Sequence, residues 1–261
     1  MPERVIALDI GSTNVHAGLV DTRRCVCLFR SDFPHDHLSR QLAAFIDRIK
    51  TDAPAIIGGG HTGLAQKAEK ILKKKKHQSV IRLQWQSRQT RLPVRFNYKN
   101  LSALGADRIA DALYAAAMYP ERNVIIIDAG TAVTVDAVSA SAKFTGGVIM
   151  AGAVTQLRGL HAAADTLPAV ALPAGKIPFP GGSTVSCMQA GAAHGIAGAL
   201  NHLVKEYKRF LGGKCTVLVT GGAWHLTRKL VDFDYIEVPD MTLIGMGLYA
   251  CYLKYSASPR L

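Results

Sequence analysis

The stretch 123–136 reads NVIIIDAGTAVTVD, and it joins an apolar run to a short acidic turn and then to a second apolar run. The residues 124–127 are all β-branched, which favours a strand that is covered on both faces. This places Asp128 at the end of a strand. Gly130 permits close approach of a ligand and Thr131 adds a hydroxyl group, so a phosphate group or its cation could lie against the turn. An ordinary β-hairpin is the alternative interpretation.

A second stretch, 5–13, repeats this design as VIALDIGST. It has the same apolar run, the same turn pattern at Asp9 and Gly11, and a hydroxyl residue straight after it, nearly half the chain away from the first stretch. Such a repeat indicates a duplicated unit of fold, in which each copy presents one turn to the phosphates of a nucleotide. A third apolar run, at 215–220, is followed by Gly221 and Gly222, as expected where a backbone passes close to a flat ligand such as a nucleobase.

In their order along the chain, these three turns resemble those of the actin-like and sugar-kinase ATPase superfamily. The resemblance implies an α/β fold of two duplicated actin-like (ribonuclease H-like) domains, at 1–118 and 119–261, with a nucleotide cleft between them. A last helix, expected at 243–255, could pack back on the first domain.

The stretch 98–108, YKNLSALGADR, leads into a helix expected at 106–119. Gly105 precedes this helix and Asp107 falls in its first turn, where the helix macrodipole favours a carboxylate whatever its role. Arg108 favours a second interpretation, because a fork of donors beside a carboxylate suits an anionic substrate that is held while its hydroxyl group loses a proton.

With these motifs the chain resembles the type III pantothenate kinases, which phosphorylate the hydroxyl group of pantothenate in the first step of coenzyme A synthesis. The resemblance spans nearly the whole chain and rests on five motifs of that family. The matching residues are Asp9, Ile10, Gly11, Ser12 and Thr13; Tyr98, Leu104, Gly105, Ala106, Asp107 and Arg108; the complete motif at 128–136; Gly146, Gly147, Ile149 and Gly152; and Ser183 with Thr184.

The resemblance implies roles for several positions of the chain. Asp107 is implied as the base that accepts the proton of the hydroxyl group. ATP is implied as the phosphoryl donor, with Mg²⁺ held at Asp9, a monovalent cation (K⁺ or NH₄⁺) held at Asp128, and a homodimer as the assembly. The implied substrate-binding residues are Tyr98, Gly105, Asp107, Arg108 and Thr184, and the implied ATP-binding residues are Asp9, Gly11, Ser12, Thr13, Gly130, Thr131, Gly221 and Gly222.

Several positions depart from the family pattern. Ser12 replaces the usual asparagine, Leu101 and Ala151 each stand where proline is common, and a lysine often seen before Ser183 is missing. Alanines fill 162–164, where many relatives place polar groups that reach the substrate of the neighbouring subunit. Two alternatives therefore stay open, since one fold hosts several functions: a nonenzymatic nucleotide-dependent regulatory or nucleic-acid-binding relative, and a kinase for another hydroxylated acid.

The charge of the chain bears on its partners. The 261 residues carry a formal net charge of +12, which fits attraction of an anionic substrate or binding to nucleic acid. The densest basic run, 67–76 (KAEKILKKKK), has no aromatic side chains between its lysines on which bases could stack. A solvated helix face is favoured, and no specific nucleic-acid partner is predicted.

Composition also predicts a class and a compartment. With 49% hydrophobic and 19% charged residues, the chain is typical of globular α/β proteins. No apolar run approaches the roughly 20 residues of a membrane span, and none resembles a signal segment after Met1, so a cytoplasmic protein without a membrane partner is expected. The five cysteines are scattered and are expected to be reduced thiols.

Hydrophobic periodicity predicts the elements between these motifs. A loop is expected at 31–37, and its two histidines and one acid are not expected to hold a metal ion. The predicted strands are 14–20, 25–30, 55–60 and 79–83, and the predicted helices are 38–50, 63–76 and 184 to about 207.

Overall fold

The computed structural model of the protein describes residues 2–75, 77, 79–83, 92–173 and 175–256. The chain forms two compact units. Unit 1 consists of Met1–Pro120, Ala142–Phe144 and Asp240–Leu261, and unit 2 consists of Glu121–Ser141 and Thr145–Pro239. The domain bounds expected from the sequence, 1–118 and 119–261, stay a prediction.

Strands and helices alternate along most of the chain. In chain order the elements are β1 (Arg4–Ile10), β2 (Asn14–Asp21), β3 (Val26–Pro34), α1 (Leu38–Ile49), β4 (Ala55–Gly59), α2 (Thr62–Lys74), β5 (Val80–Arg82), β6 (Arg95–Phe96), α3 (Ala106–Met118), β7 (Asn123–Ala129), β8 (Ala132–Val138), β9 (Lys143–Ala151), α4 (Ala153–Ala163), α5 (Thr184–Leu211), β10 (Cys215–Thr220), β11 (Ile236–Glu237) and α6 (Met241–Ser256).

Unit 1 is built on a five-stranded sheet in the order β3-β2-β1-β4-β5. The central strand β1 pairs antiparallel with β2 and parallel with β4. The apolar stripes of α1 and α2 cover one face of this sheet, where Leu42 and Leu72 join the core of β1. In the same unit α6 packs against α3 and β1. The approach of α6 to α3 is so close that a Cβ atom on Gly245 would lie 2.0 Å from the carbonyl oxygen of Ala110.

Unit 2 repeats this arrangement around β7, with its strands in the order β11-β10-β7-β8-β9. Like β1, the central strand β7 pairs antiparallel with the strand that follows it, β8, and parallel with a later strand, β10. Residues of α4 and α5, among them Leu157 and Ile196, complete the core on one face of this sheet. The predicted α/β class and the duplication are confirmed by the matching strand order of the two units.

Most predicted elements are confirmed within a few residues, and the differences have physical reasons. The predicted loop at 31–37 was wrong, because β3 stays paired with β2 as far as Pro34 opposite Asn14, and a short 3-10 helix follows at His35–His37. Neither β9 nor α4 was predicted. Two glycines interrupt the strand pattern of β9, and α4 buries only Ala153 and Leu157, so its apolar stripe is weak.

The basic run belongs mostly to α2. Ala65, Ala68 and Leu72 face the core, whereas the lysines at 67, 70, 73 and 74 are exposed. Lys76, the last residue of the run, lies outside the described residues. None of the helices in the described ranges is both long and apolar enough to cross a lipid bilayer.

Candidate functional site

The first candidate turn lies in unit 1, where β1 ends and β2 begins. Asp9 is the next-to-last residue of β1 and pairs with His16 of β2. The carbonyl oxygen of Gly11 accepts a hydrogen bond from Nε2 of His35 at 3.0 Å. This hydrogen bond restrains the turn. The sequence did not predict it, because it depends on β3 bringing residue 35 back beside residue 11. The connection between the strands consists of Gly11, Ser12 and Thr13, of which the last two are exposed.

A network of charged side chains on neighbouring strands adjoins Asp9. Nδ1 of His16 lies 2.7 Å from Oδ1 of Asp32. Nε of Arg30 donates to both carboxylate oxygens of Asp32 at 3.0 Å, and its Nη1 donates to Asp240 at 2.8 Å. The four side chains are 30–45% exposed, and Arg30 and Asp32 each take part in more than one of these contacts.

The electrostatics of Asp9 distinguish it from an ordinary surface acid. Burial of its carboxyl group raises the pKa of Asp9 to about 6, and the charge of Asp107 contributes in the same direction. His16 and Arg30 oppose the shift. Two carboxylates that repel one another are stabilised by a cation placed near them. Among the residues that the structure describes, no three His, Cys, Asp or Glu side chains are grouped as a metal site, so a cation at Asp9 stays a prediction.

The second part of unit 1 is the start of α3. Oδ1 of Asp107 accepts a hydrogen bond from the backbone N–H of Arg108 at 2.8 Å. The carboxylate bends back over Gly105, where a Cβ atom would lie 2.3 Å from that same oxygen. A side chain at residue 105 would therefore move this carboxylate, and Asp107 itself is partly exposed.

The guanidinium group of Arg108 is enclosed by aromatic rings. Its Cζ atom lies 5.6 Å from the ring centroid of Tyr98 and 5.7 Å from that of Phe144. Nη1 also donates to the hydroxyl group of Tyr98 at 3.5 Å, and Arg108 is only 6% exposed. Cation–π contacts of this kind restrict the orientation of a guanidinium group. The predicted pair Tyr98 and Arg108 is brought together, whereas Phe144 was missed because no sequence motif connects it to them.

In unit 2, the second candidate turn meets the end of β10. Asp128 is the next-to-last residue of β7, as Asp9 is of β1, and it pairs with Thr134. A Cβ atom on Gly221, which has φ of +96°, would lie 2.4 Å from Oδ1 of Asp128 and 2.3 Å from the carbonyl oxygen of Ala129. Glycine is therefore required at 221, whereas Gly222 next to it is exposed and open.

The N-terminus of α4 also lies against this turn. The carbonyl oxygen of Thr131 accepts hydrogen bonds from the backbone N–H of Gly152 at 2.9 Å and from Oγ1 of Thr155 at 2.6 Å. A Cβ atom on Gly152 would lie 2.3 Å from the carbonyl oxygen of Gly130. The first amides of a helix favour an anion, so the start of α4 is compatible with the predicted contact between this turn and phosphate groups.

Thr184 is the first residue of α5 and is exposed. Its position follows from a capping box, in which Ser183 and Ser186 exchange side-chain and backbone hydrogen bonds at 3.2 and 2.9 Å. The roles assigned to Thr184 and to the other candidate residues stay predictions.

Comparison with known proteins gives the family. The model of the type III pantothenate kinase family matches residues 5–206. The chain belongs to this family. A curated type III pantothenate kinase from Porphyromonas gingivalis is 33% identical over 162 residues, which are 61% of this chain and 65% of that relative. The chain thus matches somewhat less than two thirds of the length of that curated relative.

Solved structures agree on the fold. One similar structure is the activator of the 2-hydroxyisocaproyl-CoA dehydratase from Clostridium difficile with bound ADPNP. Its TM-score is 0.56 at 12% sequence identity, and the match covers 99% of this chain and 98% of the activator chain. An archaeal actin homolog has a TM-score of 0.50 at 12% identity, covering 95% of this chain and 99% of its own. At such low identity these likenesses show the fold alone, and they confirm the predicted actin-like architecture.

Proposed function

We propose that the protein transfers the γ-phosphoryl group of ATP to the hydroxyl group of pantothenate and forms 4′-phosphopantothenate, in the first step of coenzyme A biosynthesis. The observation that carries this proposal is the start of α3. There a partly exposed carboxylate, Asp107, accepts a hydrogen bond from the backbone N–H of Arg108, and the guanidinium group of Arg108 contacts two aromatic rings. A hydroxylated acid needs both groups, one for its proton and one for its carboxylate.

In the proposed reaction Asp107 accepts the hydroxyl proton as the substrate oxygen attacks the γ-phosphorus and ADP leaves. Arg108 binds the substrate carboxylate, and Tyr98 and Thr184 orient the substrate. Because phosphoryl transfer passes through a loose transition state, positioning and charge neutralisation supply most of the rate, and the base supplies less.

The turns at the ends of β1 and β7 are proposed to contact the phosphates of ATP through Gly11, Ser12, Thr13, Gly130 and Thr131, and Gly221 and Gly222 to contact the nucleobase. The raised pKa of Asp9 supports a site for Mg²⁺ there, since a cation offsets the repulsion from Asp107. When bound, Mg²⁺ neutralises charge on the phosphates. Asp128 is proposed to hold a K⁺ or NH₄⁺ ion.

A kinase for another hydroxylated acid is the second candidate. Ala162 and Ala163 are exposed at the end of α4 and Ala164 follows it, so this segment offers no polar side chains to a substrate. An acceptor that makes fewer polar contacts than pantothenate would suit these alanines.

A cytoplasmic homodimer is proposed as the functional form. Large apolar side chains are exposed on β9, α4 and the beginning of α5 of unit 2, and burial of such a surface favours association. These residues are Val148, Ile149, Val154, Leu160 and Val185. Light scattering on the purified protein measures the mass, and a monomer at micromolar concentration would contradict the dimer.

The activity is tested by supplying the purified protein with ATP, Mg²⁺ and a panel of hydroxylated acids that includes pantothenate. We expect the largest kcat/KM with pantothenate and a requirement for K⁺ or NH₄⁺. Preference for another acid would support the second candidate, and no turnover with any acid would support a regulatory relative. Full turnover in a buffer with sodium as the sole monovalent cation would contradict the role of Asp128.

A further inference from the structure

Unit 2 contains a cavity that the proposed function does not use. Its volume is about 840 Å³, and Asn123 and Cys215, the first residues of the paired strands β7 and β10, both line it. The turn with Gly130 and Thr131 follows the other end of β7. The cavity is therefore separate from the candidate nucleotide-binding residues of this unit.

Three cationic side chains line the cavity, and each comes from a different part of the chain. Arg122 precedes β7, Lys208 lies in the last turn of α5, and Lys214 lies between α5 and β10. Among the residues that the structure describes, no acidic side chain lies within ion-pair distance of any of the three. Glu121 is the single acid in the described lining, so positive charge is in excess there.

The helix macrodipole explains the position of only one of these three cationic side chains. A basic side chain in the last turn of a helix interacts favourably with the free carbonyl groups, and Lys208 is in that position. The carbonyl groups of residues 208 and 209 already accept hydrogen bonds from the two glycines after the helix. Arg122 and Lys214 lie outside the helix, so the macrodipole does not account for their position beside the cavity.

The walls of the cavity are held together by Asn123. Its Nδ2 donates to the carbonyl oxygen of Leu211 at 3.2 Å, and its Oδ1 accepts from the backbone N–H of Ala140 at 2.8 Å. One side chain thereby joins the end of α5, the start of β7 and the turn after β8. A cavity that is formed before the ligand arrives loses less conformational entropy on binding.

The lining selects the class of ligand. The described residues around the cavity include no aromatic or large aliphatic side chain, so a nucleobase or an acyl chain would find little to pack against. Lysine and arginine donors instead suit phosphate oxygens. We propose that the cavity is an anion site that binds a small phosphorylated compound with two or more negative charges through Arg122, Lys208 and Lys214. The proposal does not depend on the kinase activity proposed above.

Inorganic pyrophosphate is a suitable probe, because it carries this charge and no other recognisable group. Isothermal titration calorimetry at low salt measures the Kd of pyrophosphate for the wild type and for the double variant Lys208→Gln/Lys214→Gln. We expect at least a tenfold higher Kd in the variant, because each lost charge-assisted contact weakens binding roughly fivefold or more. The double variant Lys176→Gln/Lys229→Gln removes the same charge from exposed positions of unit 2 outside the lining, and its Kd should stay within about twofold of the wild type.

A second measurement uses the unmodified chain. Pyrophosphate should protect Lys208 and Lys214 from acetylation, detected by mass spectrometry, and leave Lys229 reactive. Equal weakening in the two double variants would indicate a general charge effect and overturn the site. Unchanged binding in Lys208→Gln/Lys214→Gln, or absence of protection, would also overturn it. Tighter binding of single-stranded RNA than of pyrophosphate, lost in the same variant, would assign the surface to nucleic acid instead.

Discussion

Replacing Asp107 by asparagine separates its two possible roles. If Asp107 only stabilises the beginning of α3, the amide oxygen can replace the carboxylate oxygen that accepts the N–H of Arg108 at 2.8 Å. If Asp107 is the base, the change removes the group that accepts the proton, because an amide does not do so near neutral pH. Asparagine and aspartate have side chains of nearly the same size, so the amide group also fits beside Gly105.

The cost in stability should be small. A charged residue near a helix N-terminus contributes about 0.3–1 kcal/mol, and the retained hydrogen bond limits the loss to the lower part of that range. Removal of the negative charge also relieves the repulsion that helps to raise the pKa of Asp9. We therefore expect the free energy of unfolding to fall by at most about 1 kcal/mol.

The cost in catalysis should be large. General-base catalysis contributes on the order of 10² to 10⁴ in rate, so kcat should fall by that factor while the affinity for ATP changes little. Urea unfolding, ATP titration and steady-state kinetics on Asp107→Asn measure the three quantities. Asp52→Asn, at an exposed position before β4, is the matched control and should leave all three unchanged. A folded, ATP-binding Asp107→Asn with more than about a tenth of the normal kcat would refute the assignment.

Three further changes test other parts of the structure. Phe144→Leu removes one of the two rings around Arg108 and should raise KM for the acid substrate roughly tenfold with KM for ATP unchanged. Gly221→Ala should lower the free energy of unfolding by roughly 2–4 kcal/mol in urea titrations, because its positive φ and its close backbone contact exclude a Cβ atom, whereas Gly222→Ala should cost under about 1 kcal/mol. The hydrogen bond to Asp32 raises the pKa of His16 above its ordinary value of 6.5. The His16–Asp32 pair therefore stabilises the fold fully below pH 6.5, and this stabilisation is lost as the pH rises through the raised pKa. Wild-type protein should therefore lose more unfolding free energy between pH 6 and pH 8.5 than His16→Gln, and equal losses would contradict the pairing.

The sequence by itself determined the parts of this protein that depend on short-range patterns. The third apolar run coincides with Cys215–Thr220 residue for residue, and the two acidic turns fall at strand ends as predicted. A run of β-branched residues or a 3.6-residue apolar stripe has a local physical cause, so it can be recognised without knowledge of the rest of the chain. The repeated Asp-x-Gly turn also indicates the duplication without reference to the strand order.

The tertiary structure alone decided which distant residues meet. Phe144 reaches Arg108 because the first residues of β9 pair with β6, and a Cβ atom on Gly221 is excluded because β10 lies parallel to β7, which brings residue 221 to Asp128. His35 likewise reaches Gly11 through the length of β3. Strand pairing and register set these contacts through packing over the whole sheet, and local propensity carries no information about which strand will lie beside which.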